Sequence, residues 1–106
     1  MGSYRVEIDN RARDEIRHLP GHMRQRVMRV LRELEHNPRP YTSETLNTTK
    51  LDLPATFTVE PRRIRLDPWR IVYVIEEEFG SLLVLTVRRR PPYRYEDLEA
   101  LLKDLG

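Results

Sequence analysis

Two short stretches concentrate guanidinium groups: Arg63-Ile64-Arg65-Leu66 with Arg70 close behind, and Val87-Arg88-Arg89-Arg90-Pro91-Pro92-Tyr93-Arg94-Tyr95. A planar guanidinium donates two parallel hydrogen bonds to a phosphate, which a lysine ammonium does not. An aromatic ring beside such groups stacks on an unpaired base. Grouping like charges costs stability, so packing alone is a poor reason for the arrangement. These residue types therefore point to recognition of a nucleic-acid backbone, with Tyr93 and Tyr95 placed to meet a base or ribose. The plainer reading is that Glu60, Asp67 and the run Glu76-Glu77-Glu78 pair off the arginines on an ordinary strand surface.

Alternation decides whether the charges can meet. Successive side chains of a strand point to opposite faces, so Ile64 and Leu66 share one face while Arg63 and Arg65 share the other. Arg70 opens the neighbouring strand across the Asp67-Pro68 turn, and Arg89 or Arg90 arrives at the end of the next. Four strand-borne guanidinium groups are thus expected on one open, exposed face.

The elements that hold them can be read from periodicity. Residues 4–8 alternate apolar and charged, the period of a half-buried strand. Asp9 or Asn10 then caps a short helix burying Ala12, Ile16 and Leu19, and Pro20-Gly21 ends it. From 22 to 36, Met23, Val27, Val30, Leu31 and Leu34 recur at helical spacing, leaving Arg24, Arg26, Arg29 and Arg32 on the solvated side. Asn37-Pro38 stops that helix. Residues 37–56 read as a long loop. Residues 57–60, 63–66, 69–75 and 82–87 read as strands, with turns at Asp67-Pro68 and Phe79-Gly80. A last helix, about 96–105, carries Leu98, Leu101, Leu102 and Leu105 on one stripe. The expected fold is α+β: an N-terminal strand, a two-helix hairpin, a three-stranded antiparallel meander completing a four-stranded sheet, and a C-terminal helix.

A length of 106 residues suits one domain spanning 1–106. The formal net charge is +2 while the isoelectric point is about 9.2, so distribution matters more than the sum. Acids gather at Asp14-Glu15, at Glu33 and Glu35, at 76–78 and at 96–104, away from the basic stretches. Without cysteine there is neither a disulfide framework nor a thiolate metal site, and a reducing cytoplasm is compatible. His18, His22 and His36 lack metalloprotease spacing, so no metal and no cofactor are expected. Neither a long apolar run nor a signal peptide is present, and no membrane association is expected.

The order strand, two helices, three strands, carrying RRIRL, WRIVYVI and VRRRPPYRY in sequence, resembles the RelE/ParE superfamily of bacterial toxin–antitoxin toxins. The resemblance covers nearly the whole chain. It implies a compact toxin that, in RelE-type members, is a ribosome-dependent endoribonuclease cleaving mRNA in the decoding site, held inactive by a cognate antitoxin. The implied catalytic set is Arg63, Arg65, Arg70, Arg90 and Tyr93, with Arg88, Arg89, Arg94 and Tyr95 as RNA-binding residues. Lysines common at the first two positions are arginines here, and the PPYRY register leaves Tyr95 eligible beside Tyr93. The implied reaction is attack of a ribose 2′-OH on the adjacent phosphate, which needs charge stabilisation and proton transfer but no metal. The alternative within the superfamily is a ParE-like toxin that binds DNA gyrase without hydrolysis.

Overall fold

The computed structural model describes residues 3–46 and 59–89. Its elements are β1 (Arg5–Ile8), α1 (Asn10–Arg17), α2 (Gly21–Leu34), β2 (Ser43–Thr45), β3 (Glu60–Leu66), β4 (Trp69–Glu76), a 3-10 turn at Glu77–Phe79 and β5 (Ser81–Arg89). The helix expected over 96–105 and the strand residues 57 and 58 lie outside the described residues.

Both helices form for the reasons their sequences give. Asp9 caps α1 by accepting the Arg11 amide at 2.9 Å, and Ala12 and Ile16 are buried a turn apart. Pro20 stands at the head of α2, where a missing N–H costs nothing. Met23, Val27, Leu31 and Leu34 form its buried stripe, while Val30 packs half-buried beside them.

Among the described residues the sheet has five strands in the order β1-β5-β4-β3-β2, a correction to the four expected. The additional strand, β2, lies in the stretch expected to be loop and pairs antiparallel with Arg62, Arg63 and Ile64 of β3. Ser43-Glu44-Thr45 has no apolar alternation of its own, so its partner strand holds it extended. β3, β4 and β5 form the expected antiparallel meander, with Gly80 at φ 60° turning the chain into β5. β1 joins β5 in parallel.

Both helices pack on one face of this sheet. Their apolar stripes meet Ile64, Ile71, Tyr73, Ile75, Leu82, Val84 and Val87 in one core. The spacing of the β5 residues is uneven because the β4–β5 register shifts between Val72 and Tyr73: Tyr73 pairs with Val84 and Val72 with Thr86, leaving Leu85 as the extra residue. This β-bulge reverses which face each later residue of β5 takes.

Polar contacts tie the end of the sheet remote from the Asp67-Pro68 turn. Arg39 bonds Glu60 at 2.9 Å and Glu77 at 3.3 Å, Arg62 bonds Glu60 at 2.7 Å, and Tyr4 donates its hydroxyl to Glu77 at 2.6 Å. The Glu60 carboxyl is held below its ordinary range, first by the Arg39 hydrogen bond. That of Glu77 is lowered first by the Tyr4 hydrogen bond.

Tyr73 is fully buried and donates its hydroxyl to the Pro38 carbonyl at 2.7 Å, pinning the chain after α2 to the central strand. Tyr73→Phe leaves that buried acceptor unpaired and should cost about 1–3 kcal/mol. Urea unfolding should show the loss as a lower midpoint with an unchanged slope.

Candidate nucleic-acid interface

On the sheet face away from the helices, strand register sets the arginines in line. Arg65 of β3 is directly opposite Arg70 of β4, and Arg70 is directly opposite Arg88 of β5. Directly opposed residues on one face have their Cβ atoms about 5 Å apart, so these three side chains form one row across three strands. Arg63 stands on the same face two residues before Arg65, opposite Glu44 on one side and Val72 on the other.

The bulge determines the third member. Arg89 or Arg90 was expected to reach this face; Arg89 pairs with Trp69, whose row with Leu66 packs against the helix-side core. Arg88 takes the place in the row. Arg90, Tyr93, Arg94 and Tyr95 lie outside the described residues.

The expectation that these strand arginines stand exposed holds for Arg65 and fails for two others. The Arg63 and Arg70 side chains are only 10% and 12% exposed. The reason is position: β4 is flanked on both sides, and Arg63 lies in the part of β3 that β2 covers. Arg65 falls beyond the end of β2 and is open to solvent.

Carboxylates meet the row from three directions. Glu44 of β2 accepts from Arg63 at 2.7 Å. Asp67 in the turn accepts from Arg70 at 2.8 Å. Glu15 of α1 accepts from the Arg88 Nε at 2.9 Å. Asp67 was foreseen as a partner, whereas Glu60 serves Arg39 and Arg62 elsewhere. Glu15 and Glu44 were missed, and β2, with no apolar alternation of its own, carried no signal that could have found Glu44. Arg65 has no carboxylate partner among the described residues.

The counter-charges do not extinguish the positive field. The Glu44 carboxyl is held below its ordinary value, first by the Arg63 hydrogen bond, then by the charges of Arg63, Arg65 and Arg70 together. Among the described residues, Arg63 Nε and Arg70 Nε are buried without any acceptor. Buried donors of this kind carry a desolvation cost. The described residues contain no group of three or more His, Asp or Glu able to hold a metal. None of their helices is long and apolar enough to cross a membrane.

This architecture has known counterparts among solved structures. The chain superposes on the free, doubly substituted RelE toxin of Escherichia coli with TM-score 0.65 and 21% identity, covering 98% of this chain and 99% of that one. The chain has the RelE fold. RelE–RelB from Pyrococcus horikoshii gives TM-score 0.65 at 23% identity, over 86% of this chain and 99% of its counterpart. The RelBE2 toxin–antitoxin complex from Mycobacterium tuberculosis gives 0.64 at 21%, over 83% and 99%. No protein-family profile and no curated protein sequence matches the chain, so it is the arrangement of elements that is shared.

A carboxyl lowered by a partner in the folded state stabilises the fold above its unfolded-state value, and that contribution is lost as pH falls through the folded-state value. The Glu44 side-chain carboxyl should therefore titrate by NMR below an ordinary glutamate, and Arg63→Ala should move its midpoint upward.

Proposed function

We propose that this chain is the toxin of a type II toxin–antitoxin pair and a ribosome-dependent mRNA endoribonuclease. The observation that carries the reading is the register Arg65–Arg70–Arg88, with Arg63 beside it. Three guanidinium groups in line across a sheet make a poor surface and a good seat for a phosphate whose charge is rising. In the proposed step the ribose 2′-oxygen attacks the neighbouring phosphorus. The O2′–P bond forms, the P–O5′ bond breaks, the 2′-OH proton leaves to a base and the 5′-oxygen takes a proton. The row stabilises the extra negative charge of the phosphorane. Arginine stays protonated and supplies no base, so proton transfer falls to other groups, with Tyr93 and Tyr95 the candidates in this sequence.

A cognate antitoxin belongs to the same reading. The counterparts from M. tuberculosis and P. horikoshii were solved as complexes of toxin and antitoxin, and an acidic partner would neutralise the arginine face. The ParE-like alternative, gyrase binding without hydrolysis, gains nothing from the solved structures described above, which are RelE proteins.

Each missing charge donor at a reacting oxygen costs about 2–4 kcal/mol of barrier by analogy with oxyanion donors, or roughly 10²–10³ in rate. Arg65→Ala should lose cleavage of mRNA on programmed ribosomes by about that factor and unfold like wild type, because Arg65 is exposed. Arg65→Lys should fall between the two. Arg70→Ala should lose activity and also stability, since its stem is buried. Arg29→Ala, on the solvated face of α2, should behave as wild type in both assays. Wild-type cleavage by a folded Arg65→Ala protein, or wild-type inhibition of gyrase supercoiling without mRNA cleavage, would refute the reading.

A further inference from the structure

Parallel pairing of β1 with β5 stops at Ile8 and Val84, the last bond being from the Asp9 amide to the Val84 carbonyl. β5 runs on to Arg89, so beyond Val84 its outer edge has lost its strand neighbour. An unpaired strand amide needs another acceptor. Glu15, reaching across from α1, supplies it. One carboxylate oxygen, Oε1, accepts both the Thr86 hydroxyl at 2.6 Å and the Val87 amide at 3.1 Å. The other, Oε2, accepts the Arg88 Nε at 2.9 Å.

The two oxygens thus do separate jobs on one half-buried side chain, 23% exposed against 29% for Arg88. Oε1 closes the strand edge. Oε2 fixes the direction of the guanidinium whose backbone stands opposite Arg70. An arginine with four rotatable bonds and no such tether loses considerable side-chain entropy on meeting an anion. Held at Nε by a carboxylate, it is already oriented. We infer that Glu15 is a positioning residue that orients Arg88 within the arginine row, so that helix α1 sets the geometry of the phosphate seat. This rests on the proposed anion-binding role of the row and adds to it a residue outside the sheet.

Glu15→Gln separates the two jobs. With its carbonyl oxygen at the Oε1 place, glutamine keeps the Thr86 and Val87 bonds but turns an NH₂ group toward the Arg88 Nε–H, where donor faces donor. E15Q should therefore unfold near wild type while its affinity for a fluorescein-labelled single-stranded oligouridylate falls about tenfold, the scale of one charge-assisted hydrogen bond. R88A should fall by a similar factor, and E15Q/R88A should be no weaker than R88A alone. The same cycle is read in mRNA cleavage on programmed ribosomes. If E15Q binds and cleaves as wild type, if R88A binds as wild type, or if the two losses multiply, the inference is overturned. If wild type binds RNA and does not cleave, the nuclease reading fails and the binding cycle still decides the role of Glu15. A measurement on the wild-type protein alone guards against a variant that misfolds. The Arg88 Nε–H resonance, assigned by its absence from R88K, should exchange with solvent more slowly than that of Arg65. Equal exchange would overturn the inference.

Discussion

A strand alternates its faces with period two, and only the gain or loss of a residue can break that alternation. In β5 the extra residue is Leu85, and everything chemical about the far end of the sheet depends on it. Before the bulge, Leu82 and Val84 turn toward the helices. After it Val87 does so, and Thr86 and Arg88 turn away. In a regular β5, Arg88 would fall beneath the helical layer and Val87 would stand beside Arg65 and Arg70. The bulge places an arginine where the row needs its third member, and it turns Thr86 to the side from which Glu15 can reach it.

Lining up Arg65, Arg70 and Arg88 is unfavourable in itself, because like charges directly opposed in a sheet repel. The fold manages this by recruiting acids from separate places: a turn, a short edge strand and a helix. Glu44 and Asp67 leave their guanidinium groups part-satisfied, as the unpaired Nε atoms of Arg63 and Arg70 show among the described residues.

What the sequence disclosed and what it hid follow from the same physics. The helices were legible because Met23, Val27, Leu31 and Leu34 repeat at the helical period and nothing else satisfies that repeat. Residues 63–66 were legible because apolar and charged residues alternate strictly. Residues 82–87 were legible as a strand but not in their facing, since Leu, Leu, Val, Leu, Thr and Val fit either face and hide the bulge, and with it the place of Arg88 in the row. β2 was hidden because Ser43-Glu44-Thr45 is extended by its partner's edge alone. Glu15 was hidden by distance along the chain: beside Asp14 on a short amphipathic helix it reads as a solvated acid, and only the fold brings it to Arg88.

The parallel pairing of β1 with β5 has a consequence for the order in which the molecule comes into being. Chains are made from the N-terminus, and a contact cannot form before its later partner exists. Arg5 waits for Ser81, and Glu15 waits for Arg88. The helical hairpin can assemble early, but on a growing chain it has no completed sheet to rest on. The arginine row spans three strands and closes only when β5 is in place, so a growing chain that has not reached Arg88 lacks it. It is therefore completed only after both helices, β3 and β4 have been made.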